Sequence, residues 1–206
     1  MDPVFASRTL LSLLVILDPV GIVPMFLAVT SGRAETERRR IARTAVLVAG
    51  GVLLLFAFLG EFLLGKLGIT LDAFRVAGGI LLFMIAVGMV FAQNLRDTSE
   101  ERAEAAHRDD VAVFPLAIPI IAGPGTLTTL MILVGESRGV EGGGAIVAVT
   151  AAAVLALCWL AMRLSDGISR LLGRTGVNVV TRVLGVLLAA LAVQYVADGV
   201  RALLWP

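Results

Sequence analysis

The sequence has 206 residues, of which 58% are hydrophobic and only 16% are charged, and its mean hydropathy is +0.96. Soluble domains carry far more charge, so this composition excludes a soluble protein and indicates an integral membrane protein whose main partner is the lipid bilayer. The net charge of +1 provides no basic surface, and we expect no nucleic-acid partner.

Six apolar segments are each long enough to cross a bilayer, which takes about 20 helical residues. They lie at 4–31, 41–64, 69–92, 114–135, 145–164 and 179–204. The charged residues collect between these segments, which is typical of a helical bundle and not of alternating barrel strands. We therefore predict an all-α membrane protein with six transmembrane helices in a single domain, 1–206. No small-residue cleavage site follows the first segment, so we expect it to stay in the mature protein.

The first segment contains Asp18-Pro19-Val20-Gly21 near its middle. Proline cannot continue a helix, but it fits the first position of a new one, where a preceding aspartate caps the exposed amides. The motif predicts a break at Asp18-Pro19 between two half-helices. A carboxylate inside a membrane is costly, so Asp18 is a candidate to bind a cation, with Pro19 and Gly21 beside it. The alternative is that Asp18 is only a helix cap.

The fourth segment carries Gly123-Pro124-Gly125 at the corresponding place. This motif predicts a second break, with glycine in place of a capping side chain. The exposed amides of a helix start attract an anion, and glycine lets a ligand approach them. Thr126, Thr128 and Thr129 add hydroxyl groups to this candidate anion site. The alternative is that the prolines are only kinks that help the helices to pack.

The two halves of the chain resemble one another. Pro19 corresponds to Pro124, 105 residues later, and RVAGGIL at 75–81 corresponds to RVLGVLL at 182–188. Three crossings per half is an odd number, so the second half would lie upside down relative to the first. We predict two inverted-topology three-helix repeats, 1–95 and 113–206, joined by a cytoplasmic loop at 96–112. Chance agreement in an apolar chain is the alternative.

Most arginines lie in the loops that follow the first, third and fifth segments. The positive-inside rule places these loops in the cytoplasm and both termini outside it, in a multi-pass protein of the bacterial inner membrane. A competing topology, in which segments one and four are re-entrant and return on the same side, separates the arginines slightly less well. We favour the spanning topology.

Other polar residues give weaker signals. Gln194 lies inside an apolar helix and is a candidate to face the binding cavity. Arg75 and Arg182 open the third and sixth segments, and we expect their side chains to snorkel to the membrane interface. The only histidine, His107, lies in a charged loop, and the sequence contains no zinc-type histidine pair and no cysteine cluster. We therefore predict no enzyme activity and no cofactor.

Four stretches resemble the signature regions of the MarC family of six-helix membrane proteins: LDPVGIVPMFL, FPLAIPIIAGPGTLTT, RVAGGILLFMIAVGM and TRVLGVLLAALAVQYVADG. This resemblance covers nearly the whole chain. It implies a transporter of small neutral amino acids such as glycine and alanine, driven by a cation gradient. One position departs from the family pattern, which often has asparagine after the glycine of the first motif, where this chain has Ile22.

Together these features predict a secondary transporter of small neutral amino acids. Asp18 would bind the ammonium group or a coupling H⁺ or Na⁺, and the start of the second half-helix at Gly123 to Thr126 would bind the carboxylate. The alternatives are an exporter of another small metabolite and a membrane scaffold without transport activity. Small-residue patches at 142–144 and 150–156 suit either internal packing or a homo-oligomer.

Overall fold

The structure is a computed structural model that describes residues 2–91 and 111–204. These residues form eight helices and no strand. The helices are α1 (Pro3–Leu17), α2 (Ile22–Val29), α3 (Glu35–Lys66), α4 (Leu71–Phe91), α5 (Ala112–Ile121), α6 (Pro124–Ser137), α7 (Gly143–Arg163) and α8 (Ser165–Leu204). Most of the predicted cytoplasmic loop, together with His107, lies outside the described residues.

The helices provide five stretches that are long and apolar enough to cross a membrane: Pro3–Val29, Glu35–Lys66, Leu71–Phe91, Gly143–Arg163 and Thr175–Leu204. A sixth results if α5 and α6, which meet at a bend of 53°, form one span. Each of the six predicted segments falls on one of these stretches. The prediction of an all-helical, multi-pass membrane protein is therefore confirmed.

Helix α5 is irregular. Within its 10 residues the backbone is extended at Phe114 and Ile118, each of which precedes a proline, so α5 is kinked and not one continuous helix. Pro115 and Pro119 lack the amide hydrogen that a regular helix needs, and proline also disfavours helical geometry in the residue before it. Among the prolines of the fourth segment only Pro124 was predicted to interrupt the helix, so this irregularity was not predicted.

Helix α8 is interrupted near its start. Gly173 has a φ of +59°, a conformation that glycine adopts without the steric cost that a side chain brings. The apolar span Thr175–Leu204 follows this turn, whereas residues 165–172 precede it as a short separate segment. The turn explains why the apolar pattern that predicted the sixth segment begins well after the first residue of α8.

Helices α4 and α8 form the most extensive helix pair in the described structure. Glycines allow their backbones to touch: a Cβ atom at Gly79 would lie 2.9 Å from the carbonyl oxygen of Ala192, and one at Gly199 would lie 2.8 Å from that of Asp72. Close approach through small residues is the usual basis of helix packing in membranes. This pair joins the two halves of the chain. On its flank, α1, α2, α3, α5, α6 and α7 share a hydrophobic core.

Candidate functional site

The first candidate site lies where α1 ends and α2 begins. Helix α1 ends at Leu17, and Asp18 takes a left-handed backbone conformation with φ +38° and ψ +72°. Aspartate tolerates this region better than most residues, although the conformation still carries strain. The Asp18 amide donates to the carbonyl oxygen of Leu14 at 3.1 Å, and the Ile22 amide donates to the carbonyl oxygen of Asp18 at 3.1 Å. Asp18 therefore belongs to both helix ends.

The Asp18 carboxylate is buried and faces the start of α2. Its Oδ1 atom accepts a hydrogen bond of 2.9 Å from the Gly21 amide, and Thr181 of α8 lies near the same carboxylate. Gly21 has to be a glycine, because a Cβ atom there would lie 2.0 Å from Oδ2 of Asp18. The carboxylate thus occupies the space that a side chain at position 21 would fill.

The surroundings of Asp18 favour a cation. The carbonyl groups of the last turn of α1 carry partial negative charge, which adds to the charge of the carboxylate. Within the described ranges, no arginine or lysine forms an ion pair with Asp18. A buried carboxylate without a basic partner attracts a proton, a metal cation or an ammonium group.

The second candidate site is the start of α6. Gly123 is the N-cap residue, with extended backbone and no side chain to bond the exposed amides, and Pro124 occupies the first helical position. A Cβ atom at Gly123 would lie 2.2 Å from the carbonyl oxygen of Pro119, so glycine is needed here for packing. The amides of this first turn keep the positive end of the helix dipole without a capping carboxylate, as the sequence predicts.

Apolar side chains cover this helix start. Gly125 is buried, and a Cβ atom there would meet the tips of three side chains at 2.9 to 3.1 Å: Leu82, Ile16 and Ile85. Ile16 lies two residues before Asp18, so this contact brings the two breaks close together. The glycine predicted to admit a ligand therefore admits neighbouring side chains in this structure.

The three threonines of α6 are buried. The Thr128 methyl group packs against Gly78 of α4, where an added Cβ atom would lie 1.7 Å from it. Thr128 thus closes the α4–α6 contact, which gives it a packing role beside the hydroxyl role predicted from the sequence. Thr126 lies in the first turn of the helix, next to the candidate anion site.

Gln194 and Pro19 lie away from the polar part of the site. Gln194 is exposed, and its side-chain amide donates to Asp198 at 2.8 Å on the same face of α8. The structure therefore does not bring Gln194 to either break. Pro19 lines an apolar cleft of about 430 Å³ between the first break, α7 and α8, together with residues such as Val20 and Leu184.

Comparison with known proteins fits this arrangement of helices. The family model described as "MarC family integral membrane protein" matches residues 4–204. The chain belongs to the MarC family. It is similar to the UPF0056 membrane protein YvbG of Bacillus subtilis, with 38% identity over 202 residues that cover 97% of this chain and 95% of that protein.

Two further relatives cover a similar length. A UPF0056 membrane protein of Methanocaldococcus jannaschii is 36% identical over 205 residues, which cover 99% of this chain and 100% of the relative. The UPF0056 membrane protein YhcE of Escherichia coli is 34% identical over 197 residues, which cover 94% and 90% of the two chains. No solved structure matches the chain. The family match and these relatives confirm the resemblance to MarC proteins, and their descriptions name a membrane protein without an activity.

In this MarC protein, Ile22 belongs to the hydrophobic core. It opens α2 directly after Gly21, and only 3% of its surface is exposed. An isoleucine in this place adds packing and supplies no polar side-chain group. Polar contacts at the break therefore come from Asp18, from backbone groups and from Thr181.

Arg75 has a partner that the sequence did not predict. Its guanidinium group donates to the Glu136 carboxylate of α6 at 3.0 Å and is only 14% exposed. Glu136 also lies 3.4 Å from the guanidinium group of Arg8 in α1. The sequence gives no signal for Glu136, since an acidic residue near a segment end is ordinary. Its pairing depends on how α1, α4 and α6 meet.

A test of the α4–α6 contact follows from Gly78. We expect Gly78→Ala to destabilise the protein by about 1–3 kcal/mol, the usual cost of overpacking, because the new methyl group would collide with that of Thr128. Adding Thr128→Ser removes the methyl group, which is the closest atom at 1.7 Å, but keeps Cβ and Oγ at 2.8 and 2.9 Å, so it should restore part of the loss. Thermal unfolding in detergent measures both effects. An unchanged melting temperature for Gly78→Ala would contradict the contact.

Proposed function

We propose that this MarC protein is a secondary transporter of small neutral amino acids, coupled to H⁺ or Na⁺, that works by alternating access around the two breaks. The single observation that carries the proposal is the buried Asp18 carboxylate, held at a helix break without a basic partner among the described residues. The proposed activity is transport and not catalysis, and it requires no bound cofactor.

At the first break, Asp18 would bind the solute ammonium group or the coupling cation. The Gly21 amide fixes one carboxylate oxygen, Oδ1, which leaves Oδ2 on the side where glycine provides space. An ammonium group needs several acceptors, and the unpaired carbonyl groups at the end of α1 would supply them beside the carboxylate. A small solute fits such a place better than a large one.

At the second break, the first-turn amides of α6 would bind the solute carboxylate. The groups that cover this turn are the flexible ends of Ile16, Leu82 and Ile85, which rotate at small cost compared with backbone. Ile16 contacts Gly125 and lies next to the Asp18 break, so its movement would open both half-sites together. A zwitterion with its two charges a few atoms apart matches this polarity.

The helix contacts support the inverted repeat. An inverted repeat would make α1 to α4 equivalent to α5 to α8, in that order. The contact of α1 with α7 is then equivalent to the contact of α5 with α3, and both contacts occur. The contact of α2 with α8 likewise becomes that of α6 with α4, and both of these occur. The pairs α4 with α8 and α3 with α7 exchange into themselves. The contacts of α1 with α6, of α1 with α8 and of α6 with α7 have at most weak counterparts, so the pseudo-two-fold relation is approximate. Inverted repeats commonly rock about a midplane site.

The proposed setting is the bacterial inner membrane with both termini outside the cytoplasm. The arginine-rich start of α3 and the start of α8 then lie on the cytoplasmic side, where Arg38 donates to Asp166 at 2.9 Å. Each repeat contributes one residue to this ion pair. A homo-oligomer formed through the small residues of α7 remains compatible with this arrangement.

The test is uptake of radiolabelled alanine or glycine by proteoliposomes that contain the purified chain, with Na⁺ and pH gradients varied independently. We expect saturable uptake that one of the two gradients drives uphill. Saturable flux of a different metabolite in the same vesicles, without alanine or glycine flux, would favour the exporter of another small metabolite. Absence of any saturable flux from folded protein would favour the scaffold.

A further inference from the structure

A second polar cluster lies at one end of the bundle, away from the two breaks. It is formed by residues near the starts of α1 and α4 and near the end of α6. The Glu136 carboxylate accepts from Arg75 at 3.0 Å and lies 3.4 Å from Arg8, while Arg75 also lies 3.5 Å from Asp72. Arg8, Asp72 and Arg75 belong to the first half of the chain and Glu136 to the second. These ion pairs therefore hold the two halves together at this end.

Buried hydroxyl groups without partners lie below this cluster. In the described part of the chain, the hydroxyls of Thr9, Thr129 and Tyr195 are buried and make no hydrogen bond, and one atom each of Arg75 and Glu136 is in the same condition. A buried polar atom without a partner is costly, so each one indicates water, an ion or a ligand that satisfies it in some state of the protein. Tyr195 is fully buried in a cluster with Val15 of α1 and Ile132 of α6, and its hydroxyl lies near Ser12.

The antiparallel register of α1 and α6 places these groups between the cluster and the breaks. Arg8 faces Glu136 at one end of the contact, and Ile16 meets Gly125 at the other. Ser12 lies one turn from both Arg8 and Ile16, and Thr129 lies one turn after Gly125. Ser12 and Thr129 therefore lie along the contact between α1 and α6, in the stretch between Glu136 and Asp18.

We propose that this stretch is an access site for the zwitterion, separate from Asp18, in which Arg75 binds the carboxylate and Glu136 binds the ammonium group of the solute. We call it the access site and define it by Ser12, Arg75, Thr129, Glu136 and Tyr195. When no solute is present, Arg75 and Glu136 pair with each other and close this end of the bundle. The solute replaces that pair charge for charge, and the buried hydroxyls bond the solute and its water. This inference rests on the proposed transport function.

The experiment measures how fast a thiol in the access site reacts with a charged methanethiosulfonate reagent in detergent. The parent carries Cys158→Ala, which removes the single native cysteine, and Thr129→Cys, which places a thiol at a fully buried position. We expect the parent to react slowly. Adding Glu136→Asp or Glu136→Gln should raise the rate by about tenfold or more, because either change weakens the pair with Arg75 and populates the open state.

The two variants separate the closing pair from the solute contact. Glu136→Asp keeps the charge, so millimolar alanine should slow the reaction; Glu136→Gln has no partner for the ammonium group, so alanine should have no effect. The matched control is Glu61→Gln, which removes a carboxylate that pairs with Arg138 on the exposed surface at the same end of the bundle. This control should react as slowly as the parent. Unfolding profiles establish that each variant is folded. If a Glu136 variant is not folded, Arg75→Gln, which breaks the same ion pair, replaces it in the comparison of reaction rates.

Equal rates in the Glu136 variants, the Glu61 variant and the parent would overturn the closing pair. Equal protection by alanine in Glu136→Asp and Glu136→Gln would overturn the proposed ammonium contact. Either result, obtained beside normal alanine uptake by the unmodified chain, would leave the transport proposal standing. If the thiol labelling follows the expected pattern but the unmodified chain shows no alanine uptake, the access site is supported and only the transport proposal is contradicted.

Discussion

Asp18→Asn is expected to reduce alanine uptake by about 10–100-fold, because a hydrogen bond to a charged group is worth about 1.5–3 kcal/mol more than no contact. The asparagine side-chain oxygen can still accept from the Gly21 amide, so the substitution removes the charge and keeps the cap. Removal of a buried charge without a basic partner also lowers its desolvation cost. We therefore expect the variant to melt at the parent temperature or above while it loses transport.

The matched control for this variant is Asp198→Asn. Asp198 lies on α8 and bonds the exposed Gln194 side chain, far along the helix from Thr181. Its uptake should equal that of the parent. Alanine-dependent thermal stabilisation provides a second readout, which should vanish in Asp18→Asn and persist in Asp198→Asn. Parental uptake and cation coupling in Asp18→Asn would remove the assigned role and leave Asp18 as a helix cap.

Gly21→Ala is expected to damage both the fold and transport. The new methyl carbon would lie 2.0 Å from Oδ2 and 2.7 Å from Cγ of Asp18, so the carboxylate has to leave its place at the start of α2. Forced repacking of this kind costs about 1–3 kcal/mol. We expect a lower melting temperature in detergent and uptake close to background, since the displaced carboxylate can no longer face the solute site.

Gly51→Ala is the control for this substitution. Gly51 lies inside α3, and a Cβ atom there would meet nothing within 4 Å. Alanine favours a helix over glycine by about 0.5–1 kcal/mol, so this variant should be as stable as the parent or slightly more stable. The collision also predicts non-additivity: Asp18→Gly should largely relieve the thermal cost of Gly21→Ala. When Asp18 is unchanged, equal melting temperatures for the Gly21→Ala and Gly51→Ala variants would contradict the collision.

Much of the fold was accessible from the sequence, because the signals that define it are local. A run of about 20 apolar residues requires a membrane, and a backbone inside a membrane has to satisfy its own hydrogen bonds as a helix. The end of α1 before Asp18 and the start of α6 at Pro124 follow from the chemistry of proline and of helix caps. The kinked course of α5 was not predicted, because two prolines four residues apart permit several backbone paths.

The candidate site was accessible only in part. Asp18 and Gly21 form one unit within four residues, so a local motif was enough to identify them. Thr128 was interpreted as a hydroxyl ligand, whereas its methyl group fills a gap beside Gly78, a residue distant in the sequence. Gln194 was placed toward the cavity, and the structure exposes it on the outside of α8. Hydropathy defines a helix but leaves its rotation about its own axis open when all its faces are apolar.

The sequence by itself determined that this protein is a helical membrane protein, where its spans lie, and that an aspartate stands at a helix break, since each depends on residues close in the chain. The tertiary structure alone decided that Arg75 and Arg8 share Glu136, that Thr181 faces Asp18, and that Ile16 covers Gly125. These contacts join helices from different parts of the chain. Their geometry depends on helix rotation and register, which are set by packing between glycines and larger side chains and not by any local preference.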